Sequence, residues 1–190
     1  MAGIPGAGKT EFVNNMHSVL PNFAPIEHDA LVEFIEGYRP EDYYQYRKAG
    51  SKIVSTIFDL CIKNSYDFVF DGTLSHEQGA KNVRIALKAG YSINIIYIVQ
   101  DIDKAWELTE AREIVKKRGI EREGFLQTCE KINKNLLNIF IAHKNNSAFT
   151  FWVIDKRGAT DMANATMILH NHKADHSDEI AMLLSRNYTK

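Results

Sequence analysis

Cysteine and net charge are both scarce in this 190-residue chain, and each scarcity excludes a class of protein. The 2 cysteines, Cys61 and Cys129, follow no disulfide or metal spacing and lie in apolar helical patterns, where buried free thiols are common. They are typical of a reducing cytoplasm. A formal net charge of -1 provides no basic field, so nucleic acid is disfavoured as a partner and a small-molecule substrate is favoured.

Long apolar runs are missing as well. No such run approaches the roughly 18 residues of a membrane helix, and the first residues lack a basic stretch followed by an apolar one. We therefore expect neither a membrane span nor a signal peptide. Internal repeats and low-complexity stretches are also absent. With 45% hydrophobic and 25% charged residues, the chain is expected to form a single globular domain over residues 1–190.

A glycine-rich phosphate-binding motif opens the chain and matches G-x-x-x-x-G-K-[ST] in full. Such a loop turns backbone N–H groups inward ahead of a helix N-terminus, which makes an anion site. Lys9 supplies positive charge to the β- and γ-phosphates, and the Thr10 hydroxyl is a hard oxygen ligand for Mg²⁺. The motif predicts a nucleoside triphosphate and Mg²⁺ as cofactors, held by Gly3, Gly6, Ala7, Gly8, Lys9 and Thr10.

Very little sequence precedes this motif. A phosphate-binding loop normally follows a buried strand of about five residues, whereas here only Met1 and Ala2 precede Gly3. The first strand is therefore expected to be missing or truncated at the N-terminus, which would split the sheet. One alternative function follows: a non-catalytic remnant that binds at most nucleotide or a partner.

The rest of the chain alternates helical spacings with short apolar runs. Strands are predicted at 25–29, 68–70, 91–99 and 149–154, and helices at 9–20, 30–35, 42–65, 75–89, 103–117, 124–144 and 177–185. Ser75 and Gln78 form a capping-box pattern for the helix that follows them. The alternation predicts an α/β fold, a three-layer α/β/α sandwich around a parallel sheet of the P-loop NTPase type.

Two aspartates follow predicted strands, at the sheet edge where parallel sheets bind ligands. A carboxylate at Asp29 could accept the proton of a substrate hydroxyl that attacks the γ-phosphorus, although Asp29 could equally cap the next helix. Asp71 stands where a Walker B acid would hold Mg²⁺ or bind substrate, the alternative being a solvated strand end. Thr73 could donate a hydrogen bond from the same face.

A basic run lies between two predicted helices, in a region of about 110–124 where nucleoside-kinase-like proteins carry a lid. Arginines there neutralise the charge of a transferring phosphoryl group, whereas the alternative is a solvated charged face. The phosphate loop and the two strand-end acids favour the lid. The run comprises Arg112, Lys116, Lys117, Arg118 and Arg122.

Two other patterns carry no function. His170, His172 and His176 have no neighbouring ligand at a standard spacing, so they give a weak metal signal. The segment Asn133-Lys134-Asn135-Leu136 lacks the aspartate of a guanine-reading element, which argues against a GTPase.

Taken together, these motifs resemble the zeta toxin family of P-loop kinases over about Gly3 to Ile154. The motifs occur in the order of that family: the phosphate loop, His28-Asp29 before a short apolar helix, Phe70-Asp71-Gly72-Thr73, then Glu110-Ala111-Arg112-Glu113 and Arg118-Gly119-Ile120. The resemblance implies an ATP-dependent kinase. It implies Asp29 as general base, Lys9 and Thr10 as phosphate and Mg²⁺ ligands, Asp71 and Thr73 in the substrate pocket, and Arg112 and Arg118 as charge-stabilising lid residues.

The same resemblance implies an acceptor and a partner. Family members are implied to phosphorylate UDP-N-acetylated amino sugars at the 3′-hydroxyl, which poisons cell-wall synthesis, and many are held by a small helical antitoxin. This chain has Leu74 and Ser75 where well-known members carry an arginine, so one substrate contact is absent. Arg122 could replace Arg118 in the lid. A polynucleotide or nucleoside kinase is the alternative, and the charge offers little basic groove for it.

Overall fold

Strands and helices alternate along the backbone of the computed structural model, which describes residues 1–19, 22–116, 121–159, 163–171 and 176–185. The strands are β1 (Ala2–Gly3), β2 (Ala24–Glu27), β3 (Phe68–Asp71), β4 (Ile93–Val99), β5 (Phe149–Asp155) and β6 (Thr166–His170). The helices are α1 (Lys9–Val19), α2 (His28–Glu33), α3 (Tyr43–Asn64), α4 (Glu77–Lys88), α5 (Ile102–Val115), α6 (Arg122–His143) and α7 (His176–Leu184). A 3-10 turn at Pro40–Asp42 precedes α3.

The strands form two sheets within the described residues. The larger sheet has the order β1-β4-β5-β6, and the smaller one pairs β2 with β3. All the pairings are parallel except that of β5 with β6. The predicted α/β fold is therefore confirmed, with a sheet that is mostly parallel. Strand β1 contains only Ala2 and Gly3, which pair with Tyr97 and Ile98 of β4. Strands β2 and β3 form a separate sheet.

The antiparallel strand β6 departs from the purely parallel sheet that the sequence predicts. A strand that returns directly beside its predecessor needs no helical crossover and therefore runs antiparallel. Asn171, which follows β6, secures this return: its Oδ1 accepts from Phe151 N at 2.7 Å, and its Nδ2 donates to Lys144 O and Phe149 O at 3.2 Å each. The tail is thereby fixed to β5.

Two apolar clusters support the two sheets. The larger lies between the β4–β5 strands and α6, where Phe140 packs against Phe151 with ring centroids 5.4 Å apart. The smaller consists of Ile26, Phe58 and Cys61 and lies between α3 and the two-stranded sheet. Both cysteines are free and buried, as predicted. In the described part of the chain, no helix combines the length and apolar character needed to cross a bilayer.

The start of α4 differs from its sequence prediction. The helix begins at Glu77 with His76 as the flanking residue, and no side chain caps it. The capping box at Ser75 and Gln78 is therefore wrong. The Ser75 hydroxyl instead shares a 2.8 Å hydrogen bond with the hydroxyl of Thr73, a partner that the tight turn at Leu74, with φ of +54°, brings within reach.

Replacing Asn171 with alanine should destabilise the protein, because its amide satisfies three backbone groups around β5. A buried backbone group without a partner costs about 1–3 kcal/mol, so we expect Asn171→Ala to lower the free energy of unfolding by at least about 2 kcal/mol in urea titrations. Asn138→Ala, at an exposed position of α6, should change it by less than about 0.5 kcal/mol. Equal stabilities of the two variants would contradict this account of the β5–β6 junction.

Candidate active site

The phosphate-binding motif forms the turn between β1 and α1. The turn is closed by a hydrogen bond from Ala7 N to Ile4 O at 3.1 Å, and α1 begins at Lys9. Gly6 has φ of +77°, and a Cβ there would lie only 2.2 Å from the carbonyl oxygen of Ala105. Only glycine therefore allows the turn to approach α5 this closely.

Lys9 folds back onto its own loop. Its Nζ donates hydrogen bonds to the carbonyl oxygens of Gly3 and Ile4, each at 3.0 Å. Burial lowers the pKa of Lys9 to about 8, while the negative charge of Asp71 opposes this shift and the positive charge of Arg112 adds to it. The Lys9 ammonium therefore lies against the loop, and burial partly destabilises its positive charge.

Thr10 and Asp71 meet at the start of α1. The Thr10 hydroxyl donates to Asp71 Oδ2 at 3.0 Å, and Asp71 is only 8% exposed. The other carboxylate oxygen, Oδ1, is buried and accepts no hydrogen bond from the described residues. A buried acceptor without a partner is costly, and a hydroxyl beside a carboxylate is a donor set that suits Mg²⁺. The two residues therefore fit the cation that the sequence predicts.

This site holds few protein ligands for a cation. Among the residues that the structure describes, no three histidine, cysteine or acidic side chains come together as a metal cluster. Mg²⁺ in phosphate-transfer sites commonly uses one or two protein oxygens and completes its shell with water and phosphate oxygens. The Thr10–Asp71 pair therefore matches a cation that arrives with a nucleotide.

Asp29 lies in the first turn of α2 rather than at its cap. The residue preceding the helix is Glu27, which makes no capping hydrogen bond, so the alternative of Asp29 as N-cap is wrong. Asp29 Oδ1 accepts a 2.8 Å hydrogen bond from the hydroxyl of Tyr43, the first residue of α3. The charge of Asp29 also acts on the pKa of Lys9, so the two strand-end aspartates share one site with the lysine.

His28 contacts the same oxygen of Asp29 as Tyr43 does. Its Nδ1 lies 3.5 Å from Asp29 Oδ1, and its Nε2 lies 3.0 Å from the carbonyl oxygen of Arg47. The pKa of His28 is raised, chiefly by the hydrogen bond to Asp29. Gly50 allows this packing, because a Cβ there would lie 2.3 Å from Val32 Cγ2 and 3.0 Å from His28 Nε2.

Glu27 is a site residue that the sequence reading missed. It is the last residue of β2 and pairs in register with Asp71 of β3. Burial raises its pKa, and the charges of Asp71 and Asp29 raise it further. Its position two residues before Asp29, at the same strand end, is the signal that could have identified it.

Thr73 lies in the loop after β3, two residues beyond Asp71. Its hydroxyl is 2.8 Å from the Ser75 hydroxyl, and Ser75 is itself buried. The side chain of Leu74 packs against the larger apolar cluster. Neither Leu74 nor Ser75 presents a positive charge beside Thr73.

Arg112 belongs to the basic run and acts electrostatically on Lys9 of the phosphate loop. It lies on α5, and its charge acts on the pKa of Lys9. Arg118 and Lys117 lie outside the described residues. Arg122 forms an ion pair with Asp103 and lies over the ring of Trp106, with its guanidinium carbon 5.7 Å from the ring centroid.

Lys116, which directly follows α5, forms an ion pair with α2. Its Nζ lies 3.4 Å from a carboxylate oxygen of Glu33, at the end of α2. Lys116 also lowers the pKa of Glu27, against the larger effects that raise it. The end of α5 therefore lies opposite the elements that carry Asp29.

Comparisons with known proteins identify the family and the fold of the chain. The model of the family described as Zeta toxin matches residues 1–169. A solved chain from the PezAT chromosomal toxin-antitoxin system of Streptococcus pneumoniae superposes with a TM-score of 0.67, covering 94% of this chain and 74% of that one. The two sequences are 17% identical, so this likeness supports the fold alone. No curated protein sequence matches the chain.

The lowered pKa of Lys9 predicts how ATP affinity depends on pH. Phosphate binding favours the charged lysine and so raises its pKa, which means that the affinity should be constant below about pH 8 and fall by up to about tenfold per pH unit above it. Titration calorimetry between about pH 7 and pH 9 measures this. Lys9→Met should bind ATP more weakly but without that fall, and a parent affinity that is flat over the range would refute the assignment.

Proposed function

Because the chain belongs to the zeta toxin family, we propose that it is an ATP-dependent kinase that transfers the γ-phosphoryl group to a hydroxyl of a small substrate. One observation carries this proposal. Asp71, Arg112 and Asp29 all lie close enough to the Lys9 ammonium to change its pKa. In the proposed roles these residues would supply a phosphate ligand, a cation ligand, a base and a charge-stabilising arginine, which is the set that phosphoryl transfer requires.

In this mechanism the loop binds the nucleotide. The backbone N–H groups of the motif and Lys9 hold the β- and γ-phosphates, with Lys9 exchanging the carbonyl oxygens of Gly3 and Ile4 for phosphate oxygens. Thr10 and Asp71 would hold Mg²⁺, which would neutralise negative charge on the phosphates. The buried, unpartnered Oδ1 of Asp71 supports this assignment.

Asp29 acts as the general base. It accepts the proton of the acceptor hydroxyl as the oxygen attacks the γ-phosphorus in line with the leaving ADP oxygen. The carboxylate already accepts an O–H donor, the Tyr43 hydroxyl at 2.8 Å, so a hydroxyl group is accommodated beside it. Tyr43 and His28 both contact Oδ1 of this carboxylate, which restricts its orientation.

Arg112 stabilises the charge that spreads over the phosphoryl oxygens during transfer. Its place on α5, the helix that packs against Gly6, puts it within electrostatic reach of Lys9. We assign Arg118 as the second arginine of the lid on the family resemblance. Arg122, which is already paired with Asp103, is the weaker candidate.

For the acceptor we propose a UDP-N-acetylated amino sugar, contacted by Asp71 and Thr73 beside the base. The structural neighbour comes from a toxin-antitoxin system, and by extension we propose that this chain is a toxin with a small helical antitoxin as its partner. Leu74 and Ser75 leave the acceptor without the arginine contact that the family resemblance implies. The acceptor pocket is therefore expected to differ from that of those relatives in the contacts that follow Thr73.

Replacing Asp29 with asparagine should abolish transfer while sparing nucleotide binding. Loss of a general base costs about 10²- to 10⁴-fold in rate, so phosphorylation of a panel of sugar nucleotides with labelled ATP should fall by that factor, with ATP affinity within about threefold of the parent. Asp59→Asn, on the exposed face of α3, is the matched control and should keep the parent rate. Transfer by Asp29→Asn within a few fold of the parent would exclude Asp29 as base.

Replacing Asp71 with asparagine should weaken the binding of Mg²⁺. An amide is a poorer ligand than a carboxylate, so the Mg²⁺ concentration that half-saturates the nucleotide complex should rise by about tenfold or more, as measured by calorimetry with a non-hydrolysable ATP analogue. Asp67→Asn, at the opposite end of β3, should leave it unchanged. An unchanged Mg²⁺ affinity in Asp71→Asn would contradict the assignment of Asp71 as a cation ligand.

A further inference from the structure

One face of α5 carries a row of buried side chains at four-residue spacing. Ala105 is 0% exposed, Thr109 1% and Glu113 7%, and residues four apart lie on the same side of a helix. The first two lie against the phosphate loop, since a Cβ on Gly6 would be 2.2 Å from Ala105 O and 2.8 Å from Thr109 Oγ1. Glu113 continues this row by one turn.

A carboxylate at this position is unfavourable unless it has a specific partner. Burying a charge is costly, and Glu113 lies in the last turn of α5, where the negative end of the helix dipole disfavours an acid. One partner is its neighbour in sequence: Arg112 Nε lies 3.1 Å from Glu113 Oε1. The Glu113 side chain is 10% exposed and that of Arg112 is 46% exposed. The buried carboxylate therefore holds the more exposed guanidinium.

The contact uses only one edge of the guanidinium group. An arginine has five N–H donors in a planar fork. The hydrogen bond from Nε uses one of them, and the four N–H donors on Nη1 and Nη2 do not take part in it. Across the described ranges, neither terminal nitrogen of Arg112 makes a hydrogen bond. The charge of this guanidinium acts on Lys9, whose ammonium lies against the carbonyl oxygens of the phosphate loop.

We propose that Glu113 is a positioning residue for the transfer reaction: it holds the Arg112 guanidinium through Nε so that the two terminal nitrogens face the phosphoryl group during its transfer. This inference rests on the proposed kinase function. Glu113 itself touches neither nucleotide nor acceptor. Without it, Arg112 would sample other rotamers, and its contribution would fall in the transition state, where charge builds up, more than in the ground state.

The test compares two affinities, that of ADP with Mg²⁺ and that of ADP with Mg²⁺ and aluminium fluoride, a mimic of the transferring phosphoryl group. In Glu113→Ala, the fluoride complex should weaken by about tenfold or more, while the ADP affinity stays within about twofold. Glu113→Gln keeps an oxygen that can accept from Nε and should recover part of the loss. Glu110→Gln, on the exposed side of α5, should match the parent.

A double-mutant cycle separates positioning from general stability. If Glu113 acts through Arg112, then Glu113→Ala should cause no further loss of fluoride-complex affinity in an Arg112→Ala background. Equal losses in both backgrounds, or an unchanged fluoride complex in Glu113→Ala, would overturn the inference. A parent protein that binds ADP but gains no affinity from aluminium fluoride would instead overturn the proposed kinase function, and the role of Glu113 with it.

Discussion

The hydrogen bond from Thr10 to Asp71 joins the two parts of this structure. Thr10 belongs to the helix that follows β1 of the larger sheet, and Asp71 ends β3 of the smaller one. Beside it, the Met1 amino group donates a 2.8 Å hydrogen bond to the Phe70 carbonyl oxygen of β3, although β1 and β3 form no strand ladder in the described residues. The side-chain contact therefore helps to bring the strand ends that carry the acids to the phosphate loop, and the rest of the site depends on that approach.

The site concentrates charges of both signs, and their environments separate their roles. Asp71 is buried and bonded to a hydroxyl, which suits a cation ligand, whereas Asp29 is partly exposed and bonded to Tyr43, which suits a base that meets a substrate. Glu27 pairs in register with Asp71, and its pKa is raised first by burial and then by the charges of Asp71 and Asp29. Lys9 balances this negative charge, although burial lowers its own pKa.

Helix α5 and the residue that follows it contact both the phosphate loop and α2. Its early turns pack against Gly6, its last turn carries Arg112, and Lys116, which directly follows the helix, pairs with Glu33 of α2. A shift of α5 would therefore change its contacts with the phosphate loop and with α2 together.

The sequence by itself determined the parts of this protein that depend on local chemistry. The phosphate loop, the amphipathic helices, the buried strands and the strand-end acids Asp29 and Asp71 all follow from short patterns, because backbone conformation and apolar spacing are local properties. Only the tertiary structure decided which partners meet: the antiparallel return of β6, the bond of Ser75 with Thr73, and the contacts of Tyr43 and Glu113. Those pairings join residues whose proximity depends on how helices and strands pack, and no local pattern specifies that packing.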